Sequence, residues 1–271
     1  MKRNIKIAQL NLLIISTLIL FIQSCSDGSE EEFDRPARLI VTLIDSPAEY
    51  REVNIDIEEI SLKTDGTTDN DGWIKLSDLK PGVYNILDFT GGQELPLADM
   101  EFPSGTISQV KLKLGKNNTL AIGDHMSTLM VANALEDGFK FTVHEILTQG
   151  ETYYFRIDFD VAKSVLTFGT TGQLLLKPVL KLLSESSTGA ISGEILPAEK
   201  NVLVNVIASN SIIASSYAPE NSSKFFIPGI ESGIYDISFE SGNSGYQSYI
   251  RNVSVSTGKI TDLGNISMAD D

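Results

Sequence analysis

The sequence predicts an all-β protein built of two β-sandwich modules, immunoglobulin-like or transthyretin-like, behind an N-terminal signal peptide. Two observations predict this fold. Apolar and polar residues alternate along many short segments, and turns rich in Gly and Asp separate those segments. No segment after the N-terminal region sustains a helical period for three turns. Short, regularly spaced strands of this kind favour β-sandwiches.

The first 24 residues have the pattern of a bacterial lipoprotein signal peptide. Three basic residues lie within the first six positions, and a mostly apolar run follows over residues 7–22. Such a run is short for a membrane span and typical of a signal peptide. The sequence Phe21-Ile22-Gln23-Ser24-Cys25 resembles a lipobox, which implies cleavage before Cys25 and lipidation of its sulfur. The alternative is an uncleaved transmembrane anchor.

Cysteine content and charge exclude several classes of function. Cys25 is the only cysteine, so its lipidation leaves no thiol for a disulfide, a thiolate metal site or a nucleophile. The formal net charge is −15, and loss of the signal peptide removes three further positive charges. This acidity argues against nucleic acid as a partner and against polybasic lipid binding. The expected membrane contact is the N-terminal lipid, and no cofactor is predicted.

Residues 25–36 are predicted to form an acidic tether without periodic structure. Glu30, Glu31 and Glu32 follow Cys25 within a few positions. This run resembles the acidic export signal of surface lipoproteins in Bacteroidota. It implies an outer-membrane lipoprotein that is exposed on the cell surface. A solvated linker is the alternative.

The first predicted module spans residues 37–183. Its alternation is clearest over residues 52–58, 109–114 and 155–160. We expect a short helix or turn within 127–137 and one apolar strand over 174–183. The polar run 184–188 is the predicted boundary, and the second module covers 189–271.

The stretch from about residue 38 to 183 resembles the domain-of-unknown-function family 4382. The resemblance rests on motifs in a fixed order: Leu39 and Val41-Thr42-Leu43, Asp45-Ser46-Pro47-Ala48, Trp73-Ile74-Lys75-Leu76, Pro103-Ser104-Gly105, Val110-Lys111-Leu112, Asp158-Phe159-Asp160, Lys163-Ser164 and Leu176-Lys177-Pro178-Val179. The family name assigns no activity, so the resemblance implies location and fold but no reaction.

The second module resembles a carboxypeptidase-regulatory-like, transthyretin-type β-sandwich. The motifs are Gly189-Ala190-Ile191-Ser192-Gly193, Phe225-Phe226-Ile227-Pro228-Gly229-Ile230, Gly233-Ile234-Tyr235-Asp236-Ile237, Gly245-Tyr246 and Leu263-Gly264-Asn265-Ile266. It departs from the common pattern at Lys200-Asn201-Val202, where a small-residue step is expected. The resemblance implies a non-catalytic surface module.

Two segments, 81–86 and 232–237, echo each other and suggest two related sandwiches. Each is expected to start a strand after a turn whose conformation is supplied by Gly82 or Gly233. In the second segment the alternation directs one set of side chains into the core and the other set outward. The predicted core set is Tyr235, Ile237 and Phe239, and the predicted outward set is Ile234, Asp236 and Ser238.

The sequence offers few candidates for catalysis, and none is predicted to be catalytic. His144 alternates with apolar residues and is expected on a solvated strand face, whereas His125 lies in a predicted loop. Asp158 and Asp160 share a predicted strand face, where paired carboxylates could support hydrolysis. The preferred interpretation is a solvent-exposed face neutralised by Arg156.

One loop is a weak calcium candidate. Asp69, Asp71 and Asp78 fall at positions 3, 5 and 12 of a calcium-loop pattern, but position 1 would be Thr67, a poor ligand. A polar hairpin loop without metal is the preferred interpretation.

The expected function is therefore non-enzymatic binding, adhesion or scaffolding, with a glycan or protein as the ligand. The alternative is a fimbrial, pilin-like subunit that is trimmed after an arginine. Arg38 is the candidate site for such trimming, since Pro36 blocks cleavage after Arg35. A carboxylate-dependent hydrolase is the third hypothesis.

Overall fold

The computed structural model describes residues 35–45, 50–66, 69–131, 137–168, 173–196, 202–218, 223–241 and 247–268. Within these ranges the chain is nearly all β, as predicted, with one single-turn α-helix and two short 3-10 helices. The predicted signal peptide, Cys25 and the acidic run at 30–32 lie outside the described residues. None of the helices in the described ranges has the length and apolar character needed to cross a bilayer.

The first sandwich contains thirteen of the described strands. Their bounds are β1 (Ala37–Asp45), β2 (Glu52–Thr64), β3 (Trp73–Lys75), β4 (Gly82–Asn85), β5 (Leu95–Phe102), β6 (Gly105–Leu114), β7 (Thr119–Ile122), β8 (His125–Val131), β9 (Phe139–Leu147), β10 (Thr152–Phe159), β11 (Val165–Phe168), β12 (Gln173–Leu176) and β13 (Leu180–Ser184). The helix α1 (Val161–Ser164) follows β10, and the 3-10 helices are Asp69–Gly72 and Ile86–Phe89.

These strands form two sheets. The smaller sheet has the order β13-β10-β1-β5, in which β1 and β10 are parallel. The larger has the order β11-β12-β8-β7-β2-β6-β9, and β3 and β4 also pair with β2. The predicted alternation is confirmed in β2 and β10, whose apolar side chains are buried between the sheets.

One local prediction in this sandwich is wrong, and another falls only partly on described residues. Within 127–137, where a short helix or turn is expected, residues 127–131 belong to β8, which pairs with β7 and, in parallel, with β12. Residues 132–136 lie outside the described residues, and Asp137 is in a turn. The single strand expected over 174–183 is two strands, β12 and β13, which lie in different sheets. Pro178 lies between them, and a proline cannot donate to a strand ladder, so the chain leaves one sheet there and enters the other.

The second sandwich has a separate hydrophobic cluster. Its strands are β14 (Gly189–Leu196), β15 (Val202–Ala208), β16 (Ser211–Ala218), β17 (Lys224–Ile230), β18 (Gly233–Ser241), β19 (Gln247–Val255) and β20 (Ile260–Ser267). They form a sheet with the order β17-β14-β20 and a second sheet with the order β16-β15-β18-β19. The segment 184–188 lies between the two sandwiches as a hydrogen-bonded turn.

The predicted core register of β18 is confirmed: Tyr235, Ile237 and Phe239 are buried. Ser238 lies on the outer face as predicted, but only 1% of this residue is exposed. Its hydroxyl accepts a hydrogen bond from Asn205 Nδ2 at 3.2 Å, and both side chains bond to a Glu240 oxygen. A satisfied polar network can therefore bury a residue on the outer face of a sheet.

The similar segments 81–86 and 232–237 also place their tyrosines in similar surroundings. Tyr84 Oη donates to the carbonyl of Lys80, and Tyr235 Oη donates to the carbonyl of Glu231 at 2.9 Å. Each hydroxyl reaches back four residues, like the tyrosine corner of immunoglobulin folds. The predicted glycine role is wrong, since neither glycine before these tyrosines has a positive φ.

Candidate functional site

Several of the motif residues meet where β1 and β10 end. Because the two strands are parallel, their carboxyl ends lie at one edge of the sheet. Asp45 Oδ1 accepts a hydrogen bond from the backbone N–H of Val161 at 3.2 Å. Asp160 caps α1 by accepting from the N–H of Lys163 at 3.0 Å, and its other oxygen pairs with Lys163 Nζ. These bonds fix two buried carboxylates against the backbone.

Ser164 connects this edge to the chain that leads into β13. Its hydroxyl donates to the Asp160 carbonyl at 2.6 Å and accepts from the N–H of Val179 at 2.8 Å. The N–H of Lys177 donates to the Ser164 carbonyl at 2.8 Å. The motif residues Asp45, Asp160 and Ser164 therefore share one hydrogen-bonded corner.

This corner opens into a cleft of about 610 Å³ between the two sandwiches. The first sandwich contributes Phe89, Asp158 and Lys181, among other residues. The second contributes Ile213 and Phe226. Sequence analysis missed the cleft because its two walls come from distant parts of the chain and meet only when the sandwiches pack.

The sandwiches touch closely beside the cleft. Gly229 has a φ of +76°, and a Cβ at this position would lie 2.7 Å from a methyl carbon of Leu183. The guanidinium carbon of Arg156 lies 5.4 Å from the ring centroid of Phe226. A cation over an aromatic face is attracted by the ring, so this contact joins the two modules.

Arg156 does not neutralise Asp158 and Asp160, so that prediction is wrong. Its guanidinium instead bonds to Glu94 at 2.8 Å and to Glu185 at 2.6 Å. Burial alone would lower the pKa of Arg156, but the two glutamate hydrogen bonds raise it above its usual value. The arginine is therefore a fixed cation of the interface, with carboxylate partners other than the predicted ones.

The two aspartates do not share one exposed face as predicted. Asp160 lies after the end of β10 and is buried, with both oxygens bonded within its own turn. Asp158 is half-buried and lies in register with Ile44 on one side and Lys181 on the other. A carboxylate held by an N–H and an ammonium is poorly placed to exchange a proton with a substrate. This arrangement favours a structural role for Asp160.

Both histidines are exposed. His144 lies on the solvent face of β9, as the alternation predicts. His125 is not in a loop, because it begins β8 and pairs with Ile122 across a hairpin. Neither histidine lines the cleft.

The structure describes only part of the calcium candidate. Asp71 is exposed, and Asp78 Oδ2 accepts from the N–H of Asp99 at 2.8 Å. The side chain of Asp69 lies outside what the structure describes. Among the described residues no group of three acidic, histidine or cysteine side chains could hold a metal ion. The loop stays a weak calcium candidate, and a hairpin loop without metal stays the preferred interpretation.

Comparison with known families matches most of the first sandwich to a family. The model of the family described as "Domain of unknown function (DUF4382)" matches residues 36–178. No curated protein matches the chain.

Comparison with solved structures gives distant similarities. The Bacillus anthracis TIE protein is 11% identical with a TM-score of 0.20, over 86% of this chain and 34% of that one. A fimbrial protein from Bacteroides ovatus is 9% identical with a TM-score of 0.25, over 86% of this chain and 50% of that one. A mutant of the major pilin from Streptococcus pyogenes is 10% identical with a TM-score of 0.17, over 86% of this chain and 100% of that one. The chain thus spans about a third and a half of the first two. Nothing about function follows from TM-scores of this size.

Proposed function

We propose a function, based on the cleft, for this chain, which belongs to the DUF4382 family. The family name assigns no reaction. The proposed function is that of a non-enzymatic, lipid-anchored protein of the cell envelope that binds a glycan between its two sandwiches. The observation that carries the proposal is the lining of the cleft. Aromatic and aliphatic side chains such as Phe89, Phe226 and Ile213 share it with carboxylates and lysines. Apolar walls with a few fixed polar groups are typical of ligand clefts.

The fixed carboxylates support binding over hydrolysis. Asp45 and Asp160 are buried and already hydrogen-bonded to the backbone, so they can shape one end of the cleft without rearranging. Ordering few groups on binding lowers the entropic cost of association. A hydrolase would instead need one carboxyl group that is free to deliver a proton.

The cellular place proposed for the protein derives from the sequence. The lipobox-like segment ending at Cys25 supports a lipid anchor, and Glu30, Glu31 and Glu32 support display on the outer surface of the outer membrane. The second sandwich is proposed to be a carboxypeptidase-regulatory-like module that also supplies one wall of the cleft.

The position of Arg38 weighs against the fimbrial alternative. Arg38 lies in β1, which pairs with β5 on one side and β10 on the other. Its guanidinium also forms two hydrogen bonds to Asp99, at 2.8 and 2.7 Å. Trimming after this residue would remove the buried Ala37 from an interior strand of the sheet. A protease needs an exposed, unpaired segment, so this bond is a poor processing site.

Two experiments test the proposal. Metabolic labelling with a palmitate analogue should mark the wild type and not Cys25→Ala, and a labelled variant would refute the anchor. A glycan array should then detect a ligand that the variant Ile213→Gln loses. Ile213 lines the cleft and is 46% exposed, so the change should not unfold the protein. The matched control is Ile146→Gln, since Ile146 is 63% exposed and lies outside the cleft. Equal binding by the two variants would refute the cleft as the site.

A further inference from the structure

The outer face of the larger sheet of the first sandwich carries a row of lysines. Lys75 on β3 pairs in register with Ser61 on β2, Ser61 pairs with Lys111 on β6, and Lys111 pairs with Lys140 on β9. Neighbouring strands lie about 4.8 Å apart, so the row extends roughly 14 Å across the sheet. Three lysines thus lie along one line across the outer face of the sheet.

Trp73 lies beside this row. It is the only tryptophan of the chain, it is half-buried, and it pairs in register with Lys63. Its ring centroid is 4.9 Å from Lys111 Nζ, 5.7 Å from Lys140 Nζ and 5.9 Å from Lys63 Nζ. An indole attracts cations, which gathers the three ammonium groups around one ring.

Few carboxylates offset this charge. Glu59 pairs with two ammonium groups, those of Lys111 at 3.4 Å and Lys75 at 3.6 Å. A hydrogen bond from Ser61 is the largest cause that lowers the pKa of Glu59, so the carboxylate stays ionised. Among the described residues no carboxylate lies within 4 Å of the ammonium of Lys63 or Lys140. The surface is locally positive on a chain whose formal net charge is −15.

We propose that these five residues, Lys63, Trp73, Lys75, Lys111 and Lys140, form a binding patch for a carboxylate-bearing polysaccharide. We name it the lysine–tryptophan patch. The exposed part of the indole packs against the C–H face of a sugar ring. The ammonium groups around it pair with the carboxylates of that ring and its neighbours. The patch is distinct from the cleft, because none of its residues lines the cleft.

Charge complementarity selects the kind of partner. The patch is narrow, and the rest of the chain is strongly acidic. A duplex nucleic acid or an anionic bilayer would bring many negative charges within a Debye length of that acidic surface, about 8 Å at physiological salt. A single polysaccharide chain can contact the patch without lying over the acidic surface of the rest of the protein. An acidic peptide would satisfy the lysines but offers no ring face for Trp73.

The single tryptophan also reports binding. We expect polygalacturonate, added to the full chain in neutral detergent, to change Trp73 emission in a saturable way that weakens as salt is raised. Neutral dextran should leave the emission unchanged. The variant Lys63→Gln/Lys140→Gln should weaken the apparent affinity about tenfold or more, since each lost ion pair on this surface removes a charge-assisted contact.

The control variant, Lys80→Gln/Lys259→Gln, removes the same charge from exposed positions outside the patch and should bind like the wild type. Thermal midpoints measured alongside show that both variants fold. Three results would overturn the proposal: no saturable change in emission, equal weakening in the two variants, or binding of polyglutamate as tight as that of polygalacturonate. The last result would assign the patch to an acidic protein. Because the test uses no cleft variant, its failure leaves the cleft proposal standing.

Discussion

The packing of Tyr235 over Gly233 gives a quantitative test of the second sandwich. Replacing Gly233 by Ala would place a Cβ 2.9 Å from Tyr235 Oη and 3.1 Å from its Cζ. Heavy atoms do not approach a Cβ this closely, so the ring must move. The hydrogen bond from Oη to the Glu231 carbonyl, 2.9 Å long, opposes that movement.

The expected free energies follow from these contacts. Tyr235→Phe loses one hydrogen bond and keeps the ring, which costs about 1 kcal/mol. Gly233→Ala costs roughly 1–3 kcal/mol for overpacking, offset by about 0.5–1 kcal/mol because Ala loses less backbone freedom on folding. In the double variant Gly233→Ala/Tyr235→Phe, the atom nearest to the new Cβ, Tyr235 Oη, is absent. The combined cost should therefore fall below the sum by about 0.5–1 kcal/mol. Tyr235→Ala, which also empties the ring site, should cost about 3–5 kcal/mol.

Urea unfolding followed by far-UV circular dichroism measures these differences. Gly82 supplies the matched control, since it precedes Tyr84 as Gly233 precedes Tyr235. Nothing lies within 4 Å of a Cβ built at Gly82, so Gly82→Ala should not destabilise the protein. Strict additivity of the two changes at 233 and 235, or equal destabilisation by the two Gly→Ala variants, would refute this account of the corner.

Three further predictions test other parts of the molecule. The fragment 189–271 should show a cooperative thermal transition by itself, because it has its own hydrophobic cluster. If no such transition is observed, the proposed domain boundary is wrong. Asp160→Ala should lower stability by about 1–2 kcal/mol through loss of the cap on α1. Lys163→Ala, at a side chain that is 68% exposed, should cost less than about 1 kcal/mol of stability. A larger loss of stability in Lys163→Ala than in Asp160→Ala would contradict the capping role. Finally, the lowered pKa of Glu59 means that its ionised carboxylate stabilises the folded protein. This stabilisation is fully present above the ordinary pKa of 4.5, and it is lost as the pH falls through the lower pKa that Glu59 has in the folded state. Ser61→Ala should therefore reduce the fall in the unfolding midpoint between neutral and acid pH, and an unchanged fall would exclude the Ser61 hydrogen bond as its cause.

The alternation of apolar and polar residues predicted the strands that have one solvent-exposed face and one face in the core. It succeeded for β2, β10 and the core side of β18, because burial there follows the pleat. It did not reveal the strand at residues 127–131, because β8 is exposed along most of its length and is held by pairing with β7 and β12. It did not show that Ser238 is buried on the outer face, because its hydrogen-bond partner Asn205 comes from another strand.

The candidate sites depend on contacts that no local pattern shows. The motif residues Asp45, Asp160 and Ser164 were visible in the sequence, but the bonds that join them span up to 116 positions. The wall at Ile213 and Phe226 belongs to the other sandwich. The lysine–tryptophan patch arises from the register of four strands, of which sequence analysis recognised only the alternation. Long-range pairing therefore accounts for most of what was missed.

Protease shaving of intact cells tests most directly the central claim, that this is a binding protein displayed on the cell surface. The comparison is between wild type and a variant in which Glu30, Glu31 and Glu32 are all changed to Ala. Display predicts that the wild type is digested on intact cells, and that the variant is digested only after the outer membrane is opened. If the wild type is protected on intact cells as well, the protein faces the periplasm and the claim of surface display is wrong.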